Sequence, residues 1–362
     1  MTKKPKAKPL TVRDWERAAR ERLSKSAYDY YRSGAEAERA LRRNERAYRR
    51  WVVWHRVLVD VSERDLSTTV LGLPVAMPIL VAPTAYHKLA HPEGELATAR
   101  AAAEVGSLYV ASTLATTTLE DIAEASRAPK FFQLYVHKDR GLTRSLVERA
   151  EHAGYDAIVL TVDTPLLGRR LRDERNGFAL PEGLTMANLV DHASEAGPQG
   201  SMLASYVADR HDASLTWDDL AWLRSLSHLP LVLKGIVRQD DAARAVDAGA
   251  AALIVSNHGG RQLDASPATL DALPGIAAAV GERCEVYVDG GVRWGSDVFK
   301  ALALGARAVL VGRPVLWALA AQGQAGVASL LSSLATDLSR TMALAGCRTL
   351  GDIDRSMVSL AP

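Results

Sequence analysis

The chain has 362 residues, of which 48% are hydrophobic and 24% charged, with a formal net charge of +2. That composition buries a large core and lacks the basic excess of a nucleic-acid binder; no run approaches the ~20 apolar residues of a membrane span. Two cysteines without CxxC spacing, and no apolar secretion signal, point to a reducing cytoplasm with buried, inert thiols rather than a disulfide framework.

The opening "MTKKPKAKPL" reads as a solvated terminus. Residues 11–50 are rich in Arg, Glu and Ala, with Trp15, Leu23, Tyr28, Tyr31 and Leu41 interleaved, the pattern of amphipathic helices packed on something larger. "WHRVLVDVSERDLSTTVLGLPVAMPILVAP" alternates as strands do, with Gly72 and Pro74 as breaks. Residues 1–75 are therefore expected as helices and short strands packed on a main domain spanning 76–362.

A grammar then recurs. "AAAEVGSLYVAST", "AEHAGYDAIVLTVD", "AVDAGAAALIVSN" and "ALALGARAVLVG" each join an Ala-rich helix end, a Gly and a short apolar strand. Gly suits the left-handed residue that closes a helix, and a continuously apolar strand suits a parallel sheet covered by helices. "PILVAPTA", "KFFQLYV", "LPLVLKG" and "CEVYVDGG" bring the strands to eight. Eight β-α units predict an α/β fold of the (β/α)8 TIM-barrel type, with a doubly wound sheet as the alternative; no GxGxxG follows any strand. After the fourth barrel strand comes a long Gly-, Ser- and Pro-containing stretch ending at "ADRHD", read as a mobile binding loop.

In such a barrel, chemistry sits at the C-terminal strand ends. Those ends carry Pro83-Thr84-Ala85, Ser112, Gln133 with Tyr135, Thr161 with Asp163, Lys234, His258 with Arg261, Asp289-Gly290-Gly291 with Arg293, and Gly312-Arg313. Strand ends meet solvent, which accounts for some polar residues but not for so many cations on one face. The last two ends, "DGGVR" and "GRP", predict a phosphate site made of glycine backbone, a helix N-terminus and two guanidiniums. Lys234 offers a Schiff base, a fixed positive charge or a structural ion pair, and Asp163 is placed to orient His258 as a general base. His87 and His91 have metal-pair spacing, but Pro92 interrupts a helix there, and no HExxH or Cys/His cluster occurs, so no metal is expected. Of Arg169, Arg170 and Arg172, at least one is expected to turn inward.

"SNHGGRQLD", with "YDYYRSGAE", "APTAYHKLAHPEGE", "FFQLYVHKDRG", "LTVDTPLLGRR", "LKG", "DGGVRWGSDVFKALALGA" and "VGRPVLWALA", resembles the FMN-dependent 2-hydroxy-acid oxidase and dehydrogenase family over nearly the whole chain. The resemblance implies His258 as base held by Asp163, Arg170 and Arg261 as a carboxylate clamp aided by Tyr30, and Tyr135 near the substrate hydroxyl. It places Lys234 at the flavin N1–O2 edge, and Ala85, Ser112, Gln133 and Thr161 around the ring. Gly291, Arg293, Gly312 and Arg313 would hold the FMN phosphate, with Pro83, Thr84, Asp289 and Gly290 also in contact. The implied reaction turns an (S)-2-hydroxy acid into a keto acid, by loss of either the C2 proton or a hydride. Glycolate-oxidising relatives read "SSWAT" where this chain reads "STLAT", so Leu114 opens the pocket and favours a mandelate-like acid over glycolate, with lactate or a longer aliphatic acid second. "VAPTAYHKLAHPEGE" and "GRRLRDERNGFALP" also look closer to the bacterial mandelate oxidases. Oxygen is the expected acceptor, giving peroxide; a dehydrogenase or a monooxygenase-like outcome stays open. The family also implies a homo-oligomer, a tetramer or octamer, with no nucleic-acid or membrane partner.

Overall fold

The computed structural model describes residues 9–192 and 210–361. Helices α1 (Val12–Arg20), α2 (Lys25–Arg32) and α3 (Arg39–Arg50) open the chain, followed by strands β1 (Trp51–Val53), β2 (Thr68–Val70) and β3 (Leu73–Val75). The helices form because Trp15, Tyr31 and Leu41 give each one an apolar face that is buried, while Leu23 and Tyr28 are only half-buried. Residues 54–67 form no strand despite their alternation: Trp54, Val57 and Leu58 are exposed. Pro74 is no break either, since it sits in β3 opposite Thr69 in a two-stranded hairpin that tolerates it. Leu71 and Gly72, both at positive φ, make the turn.

Eight parallel strands then close a barrel: β4 (Ile79–Val81), β5 (Tyr109–Ser112), β6 (Lys130–Leu134), β7 (Ala157–Thr161), β8 (Leu231–Ile236), β9 (Ala252–Val255), β10 (Glu285–Asp289) and β11 (Ala308–Val311). The strand anticipated at each of the eight positions is present. Between them run α4 (Gly94–Glu104), α5 (Leu119–Ala125), α6 (Arg140–His152), α7 (Leu171–Asn176), α8 (Asp219–Arg224), α9 (Gln239–Asp247), α10 (Thr269–Val280) and α11 (Gly295–Ala303). The four recurrent glycines (Gly106, Gly154, Gly249 and Gly305) all have positive φ two residues past a helix end. At each, the glycine N–H and the next N–H reach back to the last helical turn, as Gly106 and Ser107 do to Ala103 and Ala102.

The interior of the barrel is filled by Leu80, Val110, Val159, Val232, Ile254 and Leu310, so it is a packed core and not a pore. The long segment after β7 contains α7 and a 3-10 turn (Ala187–His192); its centre, 193–209, lies outside the described residues. The last helix, α12 (Arg313–Ala345), corrects the run-length reading of the sequence. By length and composition it reaches what a membrane span needs, but 72% of its apolar window is buried in the protein. It is also broken at Gln322–Gly323, and the two pieces pack on α1, α4 and α11. Strand β12 (Val358–Leu360) pairs antiparallel with β1, tying the two ends of the fold together. Cys284 and Cys347 are free and buried, and burial pushes both thiols up to about 11.

Candidate active site

A cavity at the C-terminal ends of the barrel strands gathers every strand-end residue singled out in the sequence except Asp163, which sits just behind His258. His258 follows β9 at φ 59, a left-handed conformation uncommon for a residue with a side chain. Its backbone N–H donates to Ser256 Oγ at 3.0 Å, and its Nδ1 lies 3.0 Å from Asp163 Oδ1. An ionised carboxylate only accepts, so Nδ1 carries the proton and Nε2 is left with the free lone pair. Burial holds the imidazole below its ordinary pKa and Lys234 adds to this, against the opposing pull of Asp163. Burial works to raise Asp163 in turn, yet His258 and Lys234 outweigh it, so this carboxylate stays ionised.

Three arginines in a row resolve into different roles. Arg169 pairs with Glu174 at the surface, and Arg172 bridges Asp29 and Glu38 at 3.1 and 2.8 Å. Arg170 alone turns into the cavity, where it is buried and its Nε has no hydrogen-bond partner. Burial and the neighbouring Arg261 guanidinium push it down to about 10, so it remains charged at neutral pH. Arg261 donates to the backbone oxygens of Tyr30 and Ser33 at 2.7 and 2.9 Å and lies over the Tyr30 ring. Two guanidiniums thus face one space. Tyr30 stacks on Phe178 at 4.2 Å, Tyr135 on His211 at 4.6 Å, and Leu114 is a buried part of the same wall.

Away from His258 the lining changes character. Pro83, Thr84 and Ala85 extend from β4, and Thr84 Oγ1 meets His87 Nε2 at 2.6 Å. The other ring nitrogen of His87 is 2.9 Å from Thr98 Oγ1, so this buried histidine is held by two hydroxyls. Ser112, Gln133 and Thr161 form a chain: Ser112 Oγ donates to Gln133 Oε1 at 3.1 Å, and Gln133 Nε2 donates to Thr161 Oγ1 at 3.0 Å. Lys234 satisfies two of its sequence alternatives at once. It lines the cavity, and its Nζ lies 3.4 Å from Asp289 and 3.2 Å from Ser256 Oγ. Asp289 therefore directs its carboxylate at Ser256 and Lys234.

The phosphate end is built from β10, β11 and their loops. A Cβ on Gly291 would lie 2.4 Å from the Asn44 carbonyl oxygen, so α3 packs against this turn too closely for any side chain. Gly312 caps α12: Pro314 has no N–H, and the Val315 N–H donates to the Gly312 carbonyl at 2.9 Å, so of the first two helical residues only Arg313 carries an N–H. Arg313 donates to the carbonyls of Tyr31, Ser33 and Gly259 and to no carboxylate; burial and nearby arginines hold it well below its usual pKa. Arg293 is paired with Glu45 at 3.0 Å.

Sequence reasoning missed Ser256, Tyr31, Ser33, Thr164, Leu167 and His211. Ser256 stands in "SNHGGRQLD", Tyr31 and Ser33 in "YDYYRSGAE", and Thr164 and Leu167 in "LTVDTPLLGRR", but no residue type or spacing singles any of them out.

Among the described lining residues, five cations (Arg170, Lys234, Arg261, Arg293 and Arg313) face one carboxylate, Asp289. Such a mouth defines a barrel enzyme built to hold a phosphorylated cofactor and an anionic substrate side by side. The chain belongs to the FMN-dependent dehydrogenase family, whose model matches residues 19–360. It is 55% identical to an L-lactate oxidase of Nostoc sp., over 97% of this chain and 98% of the relative. It is 51% identical to glycolate oxidase 3 of Arabidopsis thaliana, over 96% and 95% of the two chains. A mandelate oxidase solved with (S)-4-hydroxymandelic acid superposes with a TM-score of 0.93 at 47% identity, covering 98% of this chain and 99% of that one. The protein is thus an FMN-dependent oxidoreductase of the 2-hydroxy-acid oxidase family. Its residues fit that cofactor: among the described residues Arg313 is a half-buried cation that forms no ion pair, at a helix N-terminus, where a phosphate would neutralise it.

Proposed function

We propose that this enzyme oxidises an (S)-2-hydroxy acid with a side chain larger than glycolate's hydrogen, a mandelate-like aromatic acid first, to the 2-keto acid. The substrate gives up two electrons and two protons, and dioxygen receives them as hydrogen peroxide. The observation that carries the reading is Leu114, whose buried aliphatic side chain forms the cavity wall together with the rings of Tyr30 and Tyr135. An indole there would fill space that a phenyl ring needs. A second reading, lactate or a longer aliphatic acid, is favoured by the 55% identity with an L-lactate oxidase.

Within this reading, Arg170 and Arg261 hold the substrate carboxylate and Tyr135 hydrogen-bonds near its hydroxyl. His258 Nε2 takes a proton from the substrate, and Asp163 fixes the tautomer and stabilises the imidazolium that forms. FMN, when bound, supplies the two-electron acceptor. Lys234, held by Asp289, would supply positive charge to the ring. Ala85, Ser112, Gln133 and Thr161, flanked by Pro83 and Thr84, would hold the ring. Gly290, Gly291, Arg293, Gly312 and Arg313 would hold the phosphate.

Steady-state kinetics test the substrate: kcat/KM for (S)-mandelate is expected to exceed that for glycolate, and the reverse order refutes the reading. Leu114→Trp is expected to shift the mandelate-to-glycolate ratio toward glycolate by at least about tenfold. The pH profile tests the base. Because burial lowers the His258 pKa, kcat/KM is expected to stay flat at neutral pH. It falls only as pH drops through a value below that of ordinary imidazole; an acid limb at or above it would count against His258.

We also propose a homo-oligomer, a tetramer or octamer. Trp54, Val57, Leu58, Leu344 and Leu360 are exposed, and the Arg56 N–H bond to the Ala345 carbonyl brings two of their segments together. A monomer by light scattering would refute this.

A further inference from the structure

A second cavity adjoins the first, and Tyr135, Thr161, Thr164 and His211 are walls of both. It lies between the barrel and α8. Among the described residues its lining includes Val162, Leu215, Trp217, Leu220, Leu233 and Ile236. Ala213 and Thr216, both exposed, stand where it meets the surface. The two spaces differ in charge. Among the described residues the first is lined by five cations and one carboxylate, whereas the second is lined by no Lys or Arg and by two carboxylates, Asp241 and Asp212, the latter paired with Arg140 outside the lining. An anionic 2-hydroxy acid or its keto product gains nothing by entering the second, while a small neutral apolar molecule loses nothing. Tyr135 and His211, which line both spaces, stack on each other at 4.6 Å.

We infer that this second cavity is a binding chamber and conduit for dioxygen, separate from the route taken by the acid. The inference rests on the oxidase reading above. Substrate and product occupy the cationic mouth, and oxygen arrives from the side, past the Tyr135–His211 pair, without waiting for that mouth to clear.

Crystals of the flavin-loaded protein under xenon pressure are expected to show xenon against the apolar wall of this chamber formed by Leu215, Trp217, Leu220 and Leu233, and Leu220→Phe to abolish it. Leu220→Phe inside and Ala213→Trp at the exposed mouth are expected to leave anaerobic bleaching by the 2-hydroxy acid at the wild-type rate. Both are expected to slow reoxidation by air several-fold. Absence of xenon, or variants that reoxidise as fast as the wild type, overturns the conduit. A wild-type enzyme that bleaches but is not reoxidised by air fails differently: it sinks the oxidase reading, and the conduit with it, while leaving the clamp and base standing.

Discussion

His258→Asn leaves a yellow, folded protein whose anaerobic bleaching by the 2-hydroxy acid is slowed by roughly 10²–10⁴-fold, the usual weight of a positioned general base. Asparagine suits the test because it tolerates the left-handed backbone that position 258 requires, so the loop need not rearrange. The flavin should remain, since the residues proposed to hold it lie on other strand ends. Substrate affinity should change little, because the clamp arginines are untouched. The defect therefore belongs in kcat, measured as the limiting rate of bleaching in stopped flow. Asp163→Asn is expected to give a smaller loss of the same kind, because the amide leaves the imidazolium without its counter-charge. A His258→Asn enzyme that bleaches at the wild-type rate would remove the base from this site altogether.

Arg170→Met separates binding from stability. Arg170 is a buried cation whose Nε has no hydrogen-bond partner, and burial together with the nearby Arg261 charge outweighs the pull of Asp173. Such a group costs stability until a substrate carboxylate pairs with it. Methionine removes that cost, so the melting temperature of the variant is expected to hold or rise. The clamp is lost at the same time: kcat/KM falls by about 30- to 4000-fold, the equivalent of roughly 2–5 kcal/mol for a truncated buried charge pair. Arg170→Lys should recover only part of it, since an ammonium cannot make the planar two-point contact. A variant that melts lower and binds substrate normally would mark Arg170 as structural.

The fold was legible where local signals agreed. Four barrel strands announced themselves as a short apolar run after a glycine-closed helix and four as an apolar run alone, and the structure has all eight. Residues 54–67 were misread because alternation alone says nothing about whether a partner strand exists; Trp54, Val57 and Leu58 face outward instead. The positions of the candidate site residues were legible because a closed barrel turns strand order into a ring, bringing His258 and Asp163 together across 95 residues of sequence. What linear reading misses are contacts whose partners carry no pattern. Ser256 is one: its hydroxyl donates to Asp289 and accepts from Lys234 and from the His258 N–H, joining three strand ends through one small side chain. The grip of the Tyr30 and Ser33 carbonyls on Arg261 is another, because backbone oxygens have no sequence signature.

The pairing of β1 with β12, Trp51 opposite Leu360, also bears on how the chain is made. Helix α1 leaves the ribosome first, yet α12, on which it packs, is synthesised near the end of the chain. At ~5–20 residues per second, the about 300 residues between those strands take on the order of 15–60 s to translate. Through that interval the face of α1 that packs on α12 has no native partner, whereas Tyr31 meets the Tyr86 carbonyl much sooner. The arginine-lined mouth is likewise completed only after synthesis has passed Arg313, whose guanidinium closes back on the Tyr31 carbonyl of the second helix.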